Sequence, residues 1–363
     1  MSDEPTVIAR FEITFTRYLD KQGAVVRPLP GWATDPRALV PLYREMVITR
    51  AFDQKAIALQ RTEQMGTYAS VLGQEAVGVG VGSAMRKEDV LVPFYRDYAT
   101  QFCRGVTMVQ ILQYWAGDER SMDFAPRRDF PICVPVGSQC PHAVGAAYAL
   151  KLRREDAAVV CTMGDGATSK GDFYEAINAA GVMRVPLVFV ILNNQWAISM
   201  PVGRQTAAAT LAQKAVAAGF PGVQVDGNDV IAVRTETADA LARARRGDGP
   251  TLIEALTYRL CDHTTADDAS RYRSQDEVSA HWAEEPILRL RNHLVAIEAW
   301  SKSQEEALVH EAAEKVKSEV ETYLALPKAG PELMFDQLYA KLPAPLVAQR
   351  EEALAAKGGE AHA

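Results

Sequence analysis

The sequence predicts an α/β fold, a mostly parallel sheet flanked by helices with a helical C-terminal segment, and three observations carry that prediction. Residues 157–163 and 186–192 are short continuous apolar runs of buried-strand type, and residues 172–182 between them set Phe173, Ala176, Ile177 and Ala180 at helical spacing. Strand, helix, strand in that order is a crossover unit whose two strands lie parallel. Residues 222–227 and 251–256 read as further strands, with a helical stretch at 230–246 between them. The last third changes character, because Ser303-Gln304-Glu305-Glu306 has the form of a capping box opening a charged amphipathic helix that runs to about Leu326.

In chain order, residues 1–33 read as an irregular arm, with Asp20-Lys21-Gln22-Gly23 as a turn and Pro28, Pro30 and Gly31 discouraging regular structure. An α/β domain is expected over residues 34–300. It opens on Thr34 as N-cap, followed by Asp35 and Pro36, with Leu39, Leu42, Met46 and Val47 at helical spacing. The glycine-rich stretch from Gly73 to Gly82 tempts a dinucleotide reading, but no strand-like run precedes it and its third glycine is misplaced. Small-residue helix packing is the better reading. Residues 301–363 are expected as a helical segment, frayed from Glu351 through Gly358-Gly359 to Ala363.

A chain of 363 residues with 48% hydrophobic content can bury a sizeable core. Lys+Arg 39 against Asp+Glu 46 gives a net charge of −7 and offers no basic stripe, which argues against nucleic acid as a partner. The 5 cysteines are scattered, without a CxxC pair, so neither a disulfide framework nor a zinc site is indicated and a reducing cytoplasm is expected. Met1-Ser2-Asp3-Glu4-Pro5 lacks the apolar core of a signal peptide, and no apolar run approaches the ~20 residues that span a bilayer. Secretion and membrane insertion are both disfavoured.

The crossover unit places two polar groups on one edge. Asp165, in Gly164-Asp165-Gly166, and Asn193-Asn194 both follow carboxyl ends of the paired strands, where open α/β sheets bind ligands. Magnesium takes near-octahedral oxygen coordination, with one or two protein oxygens alongside phosphate. A carboxylate from Asp165, an amide oxygen from Asn194 and a backbone carbonyl near Trp196 make such a set, with positions left for two phosphoryl oxygens. Gly166 and Ala167 are small enough to let a diphosphate reach backbone N–H groups at a helix start. Taken singly, Asp-Gly is also an ordinary turn and Asn-Asn an ordinary loop opener.

The text around these residues, Gly164 through Tyr174 and Asn193 through Ser199, resembles the alpha subunits of pyruvate and branched-chain 2-oxo acid dehydrogenases, which depend on thiamine diphosphate. The resemblance extends over nearly the whole chain, through Gly73-Gln74-Glu75-Ala76, Tyr95-Arg96-Asp97, Gln205-Thr206, Val225-Asp226-Gly227-Asn228-Asp229 and His263 through Ser274. It implies the thiamine-diphosphate-binding fold, with Mg²⁺ on Asp165, Asn194 and the Trp196 carbonyl, and with Tyr95, Arg96, Gly166 and Ala167 at the diphosphate. It also implies that Val134 and Val136 lie where the aminopyrimidine is gripped, Val136 supporting the bent cofactor, and that His263 is the active-site histidine, exchanging protons near neutral pH. From pattern alone, Val134 and Val136 are a half-buried alternating pair, Arg96 a solvated charge and His263 a surface loop residue.

The implied activity is oxidative decarboxylation of a 2-oxo acid with acyl transfer to the lipoyl domain of an acyltransferase component. The implied partner is a beta subunit in an α₂β₂ assembly, supplying a glutamate that no motif here provides. Leu192 stands where branched-chain relatives carry arginine, and residues 116–131 are compact. Gln205-Thr206 and Lys214 through Gly219 resemble bacterial pyruvate enzymes, whereas the length of the His263 loop resembles branched-chain ones. Pyruvate is the expected substrate, with branched-chain 2-oxo acids and then acetoin as alternatives. A silent nucleotide-binding module on the same edge is the reading from another class.

Overall fold

The computed structural model of the chain describes residues 6–123, 128–336 and 338–360. The expectations for Met1 through Pro5, for part of the 116–131 connection and for the last three residues of the tail lie outside these. The chain divides into two compact units, Met1–Glu319 and Val320–Ala363.

The strands of the first unit are β1 (Phe15–Thr16), β2 (Val90–Val92), β3 (Val159–Gly164), β4 (Leu187–Asn193), β5 (Trp196–Ala197), β6 (Met200–Pro201), β7 (Gly222–Asp226) and β8 (Thr251–Leu256). Six of them form one sheet in the order β1-β7-β8-β4-β3-β2, every pair parallel, while β5 and β6 make a small antiparallel hairpin. Its helices are α1 (Pro36–Arg61), α2 (Glu75–Ala84), α3 (Tyr98–Cys103), α4 (Met108–Trp115), α5 (Gln139–Arg153), α6 (Gly171–Met183), α7 (Val202–Gln205), α8 (Lys214–Ala217), α9 (Val230–Arg245), α10 (Gln275–Trp282) and α11 (Pro286–Ala296), followed by most of α12 (Lys302–Leu324). The parallel sheet with helices on both faces is the predicted fold class.

Alternation along the central strands sorts the core. Val159, Cys161 and Met163 of β3 and Leu187, Phe189 and Ile191 of β4 face Ala143, Ala147, Phe173 and Ile177 of α5 and α6. Val160, Val188, Val190 and Leu192 point the other way, to Val77 and Val81 of α2 and Ala232 and Val233 of α9. Both faces are thus buried, as a parallel sheet requires. The glycines of α2 serve this packing: a Cβ on Gly78 would come within 2.5 Å of Ala99 Cβ, and one on Gly80 within 2.7 Å of Val233 Cγ1. The reading of this stretch as packing rather than a nucleotide loop holds.

Four local expectations are corrected. The N-cap of α1 is Asp35, which accepts from Arg37 N–H at 2.9 Å, and not Thr34. The arm is not wholly irregular: Phe15 and Thr16 join the sheet beside Gln224 and Val225, and the Tyr18 and Leu19 N–H groups donate to Asp229 at 2.7 and 2.8 Å. A two-residue strand has no periodicity to detect, and its partners are distant in sequence. The box opening α12 lies two residues earlier, with Ser301 Oγ accepting from Gln304 N–H at 3.3 Å and Gln304 Oε1 accepting from Ser301 N–H at 2.9 Å. The stretch from Glu351 is not frayed backbone through residue 360. In the second unit, beyond the end of α12 and α13 (Leu333–Asp336), it lies within α14 (Ala344–Glu360), where Arg350 meets Asp336 at 2.8 Å.

Among the described residues no helix is long and apolar enough to cross a membrane.

Candidate active site

Neighbouring strands of the sheet converge their carboxyl ends on one cavity of about 470 Å³. Tyr95 and Arg96 follow β2, Asp165 follows β3, Asn194 and Trp196 follow β4, and His263 follows β8. Val134, Val136, Gly166, Ala167, Ala197 and Ile198 line it as well. The sequence reading placed two strand ends on this edge; the register adds the other two, with Gly164 level with Leu192 and Asn193 level with Leu256.

Local structure splits the paired asparagines. Asn193 Nδ2 turns into the sheet and donates to Glu254 Oε1 at 2.7 Å, so Asn194 is the one left at the cavity. Gln74 at the start of α2 fixes Asn194, accepting from its Nδ2 at 3.0 Å, and Asn194 Oδ1 accepts from Trp196 N–H at 3.2 Å. Asp165 opens a tight 3₁₀ turn, Asp165–Ser169, and is buried. Burial pushes its carboxyl above the usual range, opposed by Gln205 Nε2, which donates to Oδ2 at 2.6 Å. Gly166 must lack a side chain, because a Cβ there would come within 2.8 Å of Ala197 Cβ in β5. At the far end of the turn the buried Lys214 donates to Thr168 O and Oγ1 at 2.8 and 2.9 Å.

The histidine sits between two guanidiniums. Arg96 is 2% exposed and donates to Ser70 O and, at 2.6 Å, to His263 O. Arg259 is 0% exposed and donates to Trp196 O at 3.2 Å, Ile198 O at 2.8 Å and Tyr272 Oη at 2.9 Å. Each also brings a nitrogen to 3.3 Å from His263 Nδ1. With two cationic donors facing Nδ1, the ring proton belongs on Nε2. Burial, then Arg96 and Arg259, push the imidazole down to about 3. Burial and the two guanidiniums thus favour the neutral imidazole. Behind the ring, Asp267 accepts from His263 N–H at 2.9 Å and from the Tyr272 hydroxyl, which pins the loop.

These arginines decide what the cavity suits. Neither Arg96 nor Arg259 has a carboxylate within ion-pair distance among the described residues, although buried charges are costly unless paired. Arg96, which lines the cavity, suits an anion bound there. The oxygen set of Asp165, Asn194 and the Trp196 carbonyl, whose second lone pair is not used by Arg259, suits a hard cation that also takes phosphate oxygens. No cluster of three or more His, Cys, Asp or Glu exists among the described residues to compete as a metal centre.

The structure brings together every residue singled out from the sequence, with three differences of environment. Arg96 is buried rather than solvated, and His263 is half-buried rather than on the surface. Val134 and Val136 are 52% and 44% exposed at the cavity wall rather than half-buried in alternation, since no strand forms around them. Leu192 is core, 2% exposed, and reaches no ligand edge. Arg259, Gln205, Gln74 and Lys214 were missed as site residues. Their roles depend on partners far away in sequence, and no local spacing marks them.

A family described as "Dehydrogenase E1 component" matches residues 43–332. The chain is 46% identical over 313 residues to the 3-methyl-2-oxobutanoate dehydrogenase subunit alpha of Mycobacterium tuberculosis, covering 86% of this chain and 85% of that one. It is 39% identical over 340 residues to the pyruvate dehydrogenase E1 component subunit alpha of Bacillus subtilis, covering 92% and 90%. The same-named subunit of Acholeplasma laidlawii is also 39% identical over 340 residues, covering 92% and 97%.

Proposed function

Because the chain belongs to the dehydrogenase E1 component family, an enzyme family dependent on thiamine diphosphate, we propose that it is the alpha subunit of a 2-oxo acid dehydrogenase and holds the cofactor's diphosphate and its Mg²⁺. The observation that carries this reading is Arg96, a buried guanidinium without a carboxylate partner among the described residues, lining one cavity with Asp165, Asn194 and Trp196, while the buried Arg259 holds the Trp196 carbonyl from behind. When bound, the cofactor supplies the nucleophile and electron sink for decarboxylation.

The chain's own residues divide the remaining work. Asp165, Asn194 and the Trp196 carbonyl hold the metal, and Gly166 and Ala167 let phosphate approach the turn. Arg96 offsets diphosphate charge, with Arg259 behind it, and Tyr95 lines the same end. Val136, with Val134, supports the apolar part of the cofactor. His263, neutral, offers its Nε2 proton towards the reacting carbonyl or the incoming lipoyl group. Apolar walls exclude water and strengthen each of these interactions. The activating glutamate is assigned to a beta subunit in an α₂β₂ assembly; none lines the cavity among the described residues.

Pyruvate is the proposed substrate. A second reading, 3-methyl-2-oxobutanoate, is favoured by the 46% identity to the Mycobacterium tuberculosis subunit against 39% to the Bacillus subtilis one. The ratio of kcat/KM for the two acids, measured on the assembly with the beta subunit, decides between them. Calorimetry tests the site itself. Thiamine diphosphate is expected to bind only with Mg²⁺, and Asp165→Ala is expected to abolish that binding; tight binding of ATP or NAD instead would favour a nucleotide-binding module.

A further inference from the structure

We infer that Gln205 is a positioning residue for the metal site, holding one oxygen of the Asp165 carboxylate and leaving the other to the ion; this rests on the reading that Asp165 is a metal ligand. Gln205 ends α7, which the β5–β6 hairpin carries back over the Asp165–Ser169 turn. Its Nε2 donates to Asp165 Oδ2 at 2.6 Å and to Met200 O at 3.0 Å. Both partners are acceptors, so the amide orientation is determined: a flip would set Oε1 against a carboxylate and a carbonyl. The reach of the amide is determined as well, because Ala197 in the hairpin packs against Gly166, where a Cβ would lie 2.8 Å from Ala197 Cβ. The bare Gly166 lets the hairpin lie close against the turn, which brings Gln205 within reach of Asp165.

The neutrality of the donor matters chemically. An arginine or lysine at this distance would orient Asp165 equally well but would cancel the negative charge that a divalent cation needs. An amide fixes the geometry and leaves the charge available. Gln205 does not line the cavity, so it acts on the ion through Asp165, as outer-shell partners of metal ligands do.

The experiment titrates Mg²⁺ calorimetrically into the full-length chain, assembled with its beta subunit, at saturating thiamine diphosphate. Gln205→Met keeps the side-chain length and removes the donor. The Mg²⁺ concentration at half-saturation is expected to rise about 10- to 100-fold, with kcat recovering at high Mg²⁺ and the metal-free melting temperature unchanged. A half-saturation equal to the wild type overturns the inference, as does a lowered melting temperature without a change in Mg²⁺ affinity. Should Gln205→Met not assemble, Gln205→Asn, which keeps the amide but shortens its reach, reads the same quantity with the same two outcomes. Asp165→Ala runs alongside. If it binds Mg²⁺ like the wild type, the metal-ligand reading fails and the inference with it; if it loses binding while both Gln205 variants are normal, only the inference fails.

Discussion

At the scale of single residues, His263 is the most informative, because its environment differs from what its sequence position implies. Burial, and after it the two guanidiniums, hold its pKa at about 3. Between about pH 3 and the ordinary imidazole value near 6.5, the unfolded chain binds a proton there that the folded chain does not. Stability therefore falls as pH drops through that window. An anion bound against Arg96 offsets the charge repulsion, though not the burial, and so moves the pKa upward. Binding of thiamine diphosphate with Mg²⁺ near pH 6 is then expected to take up a proton. Calorimetry in two buffers of different ionisation enthalpy measures this, and His263→Gln should reduce the uptake; equal uptake in both proteins would remove the coupling. Of the site residues, Asp165 and Asn194 were legible from chemistry and strand pattern alone. Tyr95, Arg96 and His263 were legible only through family resemblance, since β2 is three residues long and leaves no periodic signal. Arg259 was not legible, since its meaning lies in partners at Trp196 and Ile198, brought near by β4 and β8.

At the scale of elements, segments with their own periodicity were read well and those made by distant partners were not. Strand β8 has the expected bounds, and β3 and β4 extend through Gly164 and Asn193, so the site residues emerge directly from strand ends. The glycine pattern of α2 was legible as packing, and it is testable. Gly80 faces Val233 of α9 so closely that Gly80→Val should destabilise the chain by about 1–3 kcal/mol or more, through overpacking between α2 and α9. Urea unfolding measures it; a neutral result would mean that the two helices separate at little cost. The same contact sets α2 relative to the sheet, and α2 starts beside Gln74, which holds Asn194. A modest loss of thiamine diphosphate affinity should accompany the loss of stability.

At the scale of the whole molecule, the class of sheet was legible from one crossover unit, but the strand order was not. Nothing local says that β7 enters outside β8, or that two residues of the arm close the edge. That order matters because it sets β8 beside β4 and so delivers Arg259 and His263 to the side of Asn194. The proposed function makes this site one part of a shared one. The purified chain is expected to give no measurable decarboxylation of pyruvate or 3-methyl-2-oxobutanoate by itself, and activity should appear when the beta subunit is added; turnover by the isolated chain would contradict the shared site. The two unpaired guanidiniums have one more consequence, which concerns lifetime rather than rate. Burial and then the Arg96 charge lower the Arg259 pKa, so an anion bound beside Arg96 offsets a repulsion as well as making its own contacts. A ligand at about 1,000 times its Kd stabilises a folded state by roughly 4 kcal/mol. The fraction of subunits open to proteolysis should thus fall as thiamine diphosphate and Mg²⁺ are added, which limited proteolysis at graded cofactor concentration measures.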